Sequence, residues 1–237
     1  MTETRYSGRS RKKALQFFCA FILVFSPVFC LANMQSQIIQ LNPPVFKEKD
    51  FPTLLEKRYS CRKFKDRALK LDDLGSILWA ACGKKYDALT SASRTIPSAG
   101  ATYPLELYLV VGQNCVDKLN AGIYHYLIDR HALELMKDGD VREGLASACL
   151  GQGFIQQAPA TLVITAKFMR TTARYGARGE HYVYVEAGHA SQNAYLAVYS
   201  LGLATVEVGA FSDSQVSQAL SLEGDFIPLI IMPVGYP

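Results

Sequence analysis

Apart from the N-terminus, the longest patterned stretch is HYVYVEAGHASQNAYLAVYSLG, residues 181–202. Its spacing predicts one long, mostly apolar helix. Residues three and four apart share a helix face, so Val185, Gly188, Gln192, Tyr195 and Tyr199 lie near one side, and Glu186, His189 and Asn193 line another. Ala187, Ala190, Ala194 and Ala197 let neighbours approach closely. Two readings fit such a helix. Its polar line is a wall of a ligand pocket, or it is a core helix whose polar groups bond internally.

The rest of the chain from residue 33 alternates strands with helices. Residues 33–49 read as an extended arm broken by Pro43-Pro44. Asp50 caps a short helix with Phe51-Pro52 at its start and Leu54 and Leu55 on its inner face. Asp72 or Asp73 caps a second, with Leu74, Ile77, Leu78 and Ala81 at the helical period and Gly83 ending it. Residues 84–100 are a polar loop. Strands are predicted at 105–111, at 122–128 through Tyr124 and Tyr126, at 160–166, at 204–208 and at 227–234, and a return segment begins at 133–136. Residues 140–150 are helical, 169–179 form a helix or lid carrying three arginines, and Ser212 caps a helix through 220. The order gives an α+β domain, with no internal repeat.

Residues 1–13 carry Arg5, Arg9, Arg11, Lys12 and Lys13 against Glu3, and the apolar run ALQFFCAFILVFSPVFCLA follows over 14–32. This is the layout of a secretory signal cleaved after Ala32. The run is near the minimum for a membrane span, so the alternative is an uncleaved anchor, residues 14–32 holding the domain to the inner membrane. The expected location is periplasmic or exported. The domains are then 1–32 as signal or anchor, 33–49 as arm and 50–237 as the folded domain. Without the first 32 residues, the chain keeps 20 basic and 20 acidic residues. Nothing basic is left over for a nucleic-acid partner. Cys61, Cys82, Cys115 and Cys149 remain, too far apart for a metal pattern. About 205 residues suffice for one domain with a sizeable core.

Three segments add chemistry. In KRYSCRKF, residues 57–64, Arg58, Ser60 and Arg62 alternate and point the same way in an extended chain. Two guanidiniums and a hydroxyl suit a phosphate, and arginine also reaches a carbonyl-rich ring edge. In RTIPSAGATYPLELYLV, residues 94–110, a loop dense in Ser, Gly and Pro brings backbone close to a flat ligand. LGLATVEVGAF, residues 201–211, turns a helix into a strand and ends in Gly209-Ala210, where a backbone N–H can meet a ligand edge.

Taken in order, these segments resemble the flavin-dependent nitroreductase family, closest to its azoline (thiazoline and oxazoline) dehydrogenase branch. Arg58-Tyr59-Ser60-Cys61-Arg62 is similar to the family's opening. Pro97-Ser98-Ala99-Gly100 with Tyr103-Pro104-Leu105-Glu106 resembles its flavin loop. Gly122-Ile123-Tyr124-His125-Tyr126 with His131 and Leu133, then Glu186-Ala187-Gly188-His189 with Gln192-Asn193, and Gly202-Leu203 with Gly209-Ala210-Phe211, continue the order. Pro233-Val234-Gly235-Tyr236-Pro237 resembles its last strand.

The resemblance implies a nitroreductase-like fold: a central, mostly antiparallel sheet flanked by helices, with a long central helix. It implies FMN bound at a homodimer interface, and two-electron transfer through flavin N5 to or from a small or peptide-derived substrate, with NAD(P)H as a transient donor. Carried onto this chain, Arg58 and Ser60 hold the ribityl phosphate end. Arg62 sits near the N1–O2 edge, and Gly209 and Ala210 face N5. Pro97, Ser98, Ala99 and Gly100 pack along the ring from the second subunit. The flavin is the reactive centre, so no catalytic side chain and no metal is assigned. Many relatives continue past this last strand to a basic residue that helps hold the phosphate. Lys85-Tyr86 is a candidate substrate-side pair by composition only. A non-catalytic flavin-binding scaffold of the same fold is the alternative.

Overall fold

Three apolar runs build the centre of the sheet: LELYLVV, ATLVITAK and FIPLIIMPVG, strands β2 (Leu105–Val111), β5 (Ala160–Lys167) and β7 (Phe226–Gly235). Runs of this kind are buried on both faces. In the computed structural model, which describes residues 37–48, 50–85, 94–222 and 224–237, β5 lies between β2 and β7. The other strands are β1 (Ile38–Gln40), β3 (Gly122–Leu127), β4 (Ala132–Asp138) and β6 (Ala204–Thr205). The seven-stranded order is β1-β4-β3-β2-β5-β7-β6, with every neighbouring pair antiparallel.

Strand side chains alternate between faces. Leu105, Leu107, Leu109 and Val111 of β2 and Leu162 and Ile164 of β5 pack on one side with Leu74, Ile77 and Leu78 of α2 (Leu71–Cys82) and Val183, Ala190, Ala194 and Val198 of α6 (Arg178–Ser200). Tyr108, Val110, Val163 and Ile231 face the other side. There they meet Leu145 of α3 (Arg142–Ala148), Ile155 of α4 (Gly153–Gln157) and Val216 and Leu220 of α7 (Asp213–Leu220). Helices cover both faces of the sheet.

The expected elements are present with several corrections. The arm contributes β1, whose Ile38, Ile39 and Gln40 pair with Glu134, Leu133 and Ala132. Asp50 does cap α1 (Phe51–Lys57), accepting from the Thr53 N–H, but no α1 residue is buried and Leu55 is exposed. Lys70 occupies the N-cap of α2 without a side-chain bond. Asp72 and Asp73 fall in its first turn, where carboxylates favour the helix dipole. Gly83 ends α2 as expected, its N–H bonded to Trp79 O. The segment at 169–179 divides: α5 (Met169–Tyr175) stops at Gly176, with φ 57° and ψ −147°, and α6 begins at Arg178, three residues before the expected start. The strand at 204–208 reduces to Ala204–Thr205, and α4 is an added short helix. The N-terminal signal or anchor and Tyr86 lie outside the described residues. Among the described residues no helix is long and apolar enough to cross a membrane.

Gly202 directs the turn from α6 into β6. Its φ of +75° is left-handed, the usual ending for a helix at glycine. The N–H groups of Gly202 and Leu203 close back on Tyr199 and Val198 carbonyls. This reversal carries residues 204–210 along the sheet edge beside the segment that follows α1.

Candidate functional site

Tyr195, 6% exposed on α6, joins two of the segments singled out in the sequence. Its Oη accepts the Glu207 backbone N–H at 2.7 Å and shares a hydrogen bond with Ser60 Oγ at 3.2 Å. The Arg58 guanidinium stands 5.2 Å from the centre of its ring. The two chain segments also touch directly: Ser60 bridges Thr205 in parallel, and the Cys61 N–H donates to Thr205 O at 2.9 Å. Val208 is held to β7 by two bonds with Ile231, at 2.8 and 3.1 Å. Past that anchor the backbone leaves the sheet. Gly209 and Ala210 are exposed, and neither N–H is bonded within the described residues. A Cβ built at Gly209 meets nothing within 4 Å. Arg62, two residues after Ser60, is exposed. Arg58, Ser60 and the 207–210 segment therefore form one cradle along the Tyr195 side of α6.

Pro97, Ser98, Ala99 and Gly100 form a second structure. Ser98 Oγ donates to Glu186 Oε2 at 2.7 Å and accepts the Tyr103 N–H at 2.9 Å. Gly100, Ala101 and Tyr103 all have positive φ, of 59°, 53° and 46°. Left-handed backbone at the last two is strained and persists only where surroundings fix it. The fixing bonds come from α5: Arg174 Nη1 to Gly100 O at 3.1 Å, Arg170 Nη1 to Tyr103 O at 3.0 Å, and Thr171 to Thr102 at 2.8 Å. A Cβ at Gly100 would collide with the Tyr175 hydroxyl, so glycine is required there twice over. A cleft of about 220 Å³ separates Pro97, Ser98 and Ala99 from Tyr182, Val185 and His189.

Glu186 borders that cleft and is 3% exposed. Burial pushes its carboxyl up to about 7, against the opposing pull of the Ser98 bond. Its Oε1 has no hydrogen-bond partner. Behind the loop, Glu106 meets His125 at 2.9 Å and Arg170 at 2.7 Å. Burial would raise the Glu106 carboxyl, but those two partners outweigh it and hold it below the usual range.

Within one chain the cradle and the loop do not meet. Glu186 and Tyr195 are nine residues apart, about 13 Å along the axis and roughly half a turn round it. Between their sides runs an exposed strip of α6 that includes Val185, Gly188, His189 and Gln192. The side expected from the sequence, Val185, Gly188, Gln192, Tyr195 and Tyr199, is largely this strip, with Tyr195 alone of the five buried. The sequence reading missed Tyr195 as the junction, because helical periodicity gives a face and not the partner of a hydroxyl. It likewise gave no sign that Glu106, His125 and Arg170 converge.

Among proteins of known sequence, the chain is 42% identical over 197 residues to MJ1384 of Methanocaldococcus jannaschii, a nitroreductase by name, covering 83% of this chain and 96% of that protein. It is 30% identical over 149 residues to the microcin B17-processing protein McbC of Escherichia coli, covering 61% of this chain and 55% of McbC. Among solved structures, a protein of Ralstonia eutropha JMP134, also a nitroreductase by name, superposes with a TM-score of 0.71 at 29% identity, covering 84% of this chain and 89% of that one. The match to the family itself runs over residues 55–236, from within α1 to Tyr236, and takes in the cradle, the strained loop and all of α6: the chain belongs to the nitroreductase family.

Proposed function

We propose that this protein is an FMN-dependent oxidoreductase that moves two electrons to or from a small or peptide-derived substrate, and that it works as a homodimer. The observation that carries the reading is the pair of unbonded, exposed N–H groups at Gly209 and Ala210, adjoining the Arg58 and Ser60 cradle through Tyr195. The donor set fits a flavin mononucleotide. A guanidinium and a hydroxyl suit the phosphate, two backbone donors suit a ring edge, and the missing Cβ at Gly209 leaves room for close approach. Family membership supports the same class, since nitroreductases are generally flavin-dependent.

Bound FMN supplies the two-electron ring chemistry that no side chain here replaces. The chain's own residues bind and orient it. Arg58 and Ser60 hold the phosphate end, and Tyr195 fixes Ser60 relative to residue 207. Arg62 would offer the bound ring a positive charge, which favours its reduced form. Gly209 and Ala210 would donate to the ring edge that carries N5. Pro97, Ser98, Ala99 and Gly100 cover the ring bound by the other copy and exclude water, the role suited to a loop held rigid by α5. NAD(P)H serves as a transient donor. The likeness to McbC, a peptide-processing protein by name, supports keeping a peptide-derived substrate in view.

We further propose export, from the basic region and apolar run of residues 1–32. Fractionation with N-terminal sequencing tests it. A start near Asn33 supports cleavage, a membrane-held full chain supports anchoring, and full-length protein in the cytoplasm refutes both. The cofactor is tested by heat release and mass identification of the chromophore. Colourless protein that also fails to take up micromolar FMN refutes the reading.

A further inference from the structure

A cavity of about 460 Å³ lies on the other side of α6 from the cradle, between the arm, α1, α2 and α6. Asn193, Ala197 and Ser200, which line it, sit about 140–200° round the helix axis from Tyr195. Its size falls in the range of small-molecule sites. The walls are aromatic and aliphatic: Phe46, Phe51, Trp79, Leu54 and Leu196. Phe46 and Trp79 are tilted rings with centres 6.2 Å apart.

The polar groups of the wall are mostly spent on the wall itself. Thr95 Oγ1 donates to Trp79 O at 3.1 Å, and Ser200 Oγ to Glu48 O at 2.5 Å. Trp79 Nε1 donates to Lys84 O at 2.9 Å, and Glu48 Oε1 accepts the Asp50 N–H at 2.8 Å. Asn193 Nδ2 donates to Ala80 O at 3.1 Å, which leaves its Oδ1 as an acceptor. Lys85 lines the same cavity and forms no ion pair with a described residue. What faces the space is therefore mainly aromatic surface, with the Lys85 cation at its edge and the Glu48 carboxylate, bonded to the Asp50 N–H, on the same lining. Such walls suit a flat apolar body, and Lys85 offers a partner to a negative charge on it.

We propose that this cavity binds a planar aromatic anion, a ring system bearing one carboxylate or sulfonate, at a site separate from the cradle around Tyr195. Stacking on Phe46 and Trp79 provides the contact area, and Lys85 selects the charge. The site does not depend on the flavin reading.

The chain has one tryptophan, Trp79, and it stands in the wall, so its emission reports occupancy. The probes are 1-anilinonaphthalene-8-sulfonate and the uncharged N-phenyl-1-naphthylamine, titrated into the purified protein with and without saturating FMN. Both quench Trp79 saturably at one site per chain, the anion binding about threefold more tightly, as a partly exposed ion pair allows. Lys85→Gln removes that advantage and leaves the neutral probe unchanged. Ala80→Phe fills the cavity and weakens both probes at least tenfold. Should that variant not fold, Phe51→Ala removes an exposed wall and weakens both about fivefold. FMN changes neither titration. Absence of saturable quenching overturns the proposal, as does unchanged binding in the wall variants. Competition by FMN would make the cavity part of the cofactor site. Quenching that follows protein concentration instead of probe would place a second copy in the cavity. Either result also overturns the proposal.

Discussion

Tyr195 and Ser60 are 135 residues apart in the chain and share a hydrogen bond of 3.2 Å, while the same tyrosine oxygen accepts the Glu207 N–H. One hydroxyl thus sets the distance between the segment after α1 and the segment before Gly209. Tyr195→Phe removes the acceptor and leaves a backbone donor unmatched, a loss of about 1–2 kcal/mol. FMN affinity is expected to fall roughly tenfold. Because one of the two lost bonds holds Ser60 at the phosphate end, riboflavin, which lacks the phosphate, loses less. Equal losses for FMN and riboflavin would remove Tyr195 from phosphate-end positioning.

Gly209 separates a ligand effect from a folding effect. A Cβ there meets no heavy atom beyond its chain neighbours within 4 Å. Gly209→Val is therefore expected to leave urea stability within about 0.5 kcal/mol, as for surface substitutions generally. Flavin uptake, which needs that space, is expected to fall at least tenfold. Wild-type FMN affinity in the variant would move the ring edge away from residue 209.

Glu186 gives the protein a pH-dependent stability with a definite sign. Its folded carboxyl is pushed up to about 7 by burial, above the ordinary value of 4.5. The folded state therefore holds the proton more tightly than the unfolded chain. That contribution is complete below about pH 4.5 and is lost as pH rises toward 7 and just beyond, by about 3 kcal/mol at most. Glu186→Gln keeps the shape and cannot ionise. Urea melts at pH 5 and pH 8 are expected to show a larger drop in wild type than in the variant. Parallel drops would show that the carboxyl ionises without penalty, its Oε1 satisfied by water.

Strand positions were legible because burial on both sheet faces writes unbroken apolar runs, as at 105–111 and 160–166, and α6 because an apolar helical pattern over 22 residues has no strand alternative. The Asp72 and Asp73 caps failed for a tertiary reason: the side chain of Asp72 accepts from Asn42 of the arm at 2.9 Å, a long-range contact that spacing does not encode. β1 was invisible because a strand of three residues is too short to write an alternating pattern. At the site, the motifs Arg58–Ser60 and Gly209–Ala210 could be found by order along the chain. Their junction could not, since nothing in a sequence tells which of Gln192, Tyr195 and Tyr199 turns inward.

The exposed strip of α6 leads to the last expectation. Val185 is 45% exposed and Tyr184 59%, and a Cβ at Gly188 meets nothing within 4 Å. We propose that this strip of the 23-residue helix is the contact between two copies, which would cover both apolar groups. A two-fold axis crossing this strip sets one copy's Tyr195 side toward the other copy's Glu186 side, because the two sites lie at opposite ends of the strip and a two-fold contact pairs unlike ends. Each flavin site would then join one cradle to the other chain's strained loop, which explains why the two do not meet within a chain. Light scattering is expected to give a dimer. Gly188→Arg places a charge in the contact and is expected to give folded monomers that lose FMN in proportion to dimer loss. Wild-type monomers with full flavin occupancy would rule out the shared site, and Gly188→Arg dimers of normal affinity would move the interface off α6.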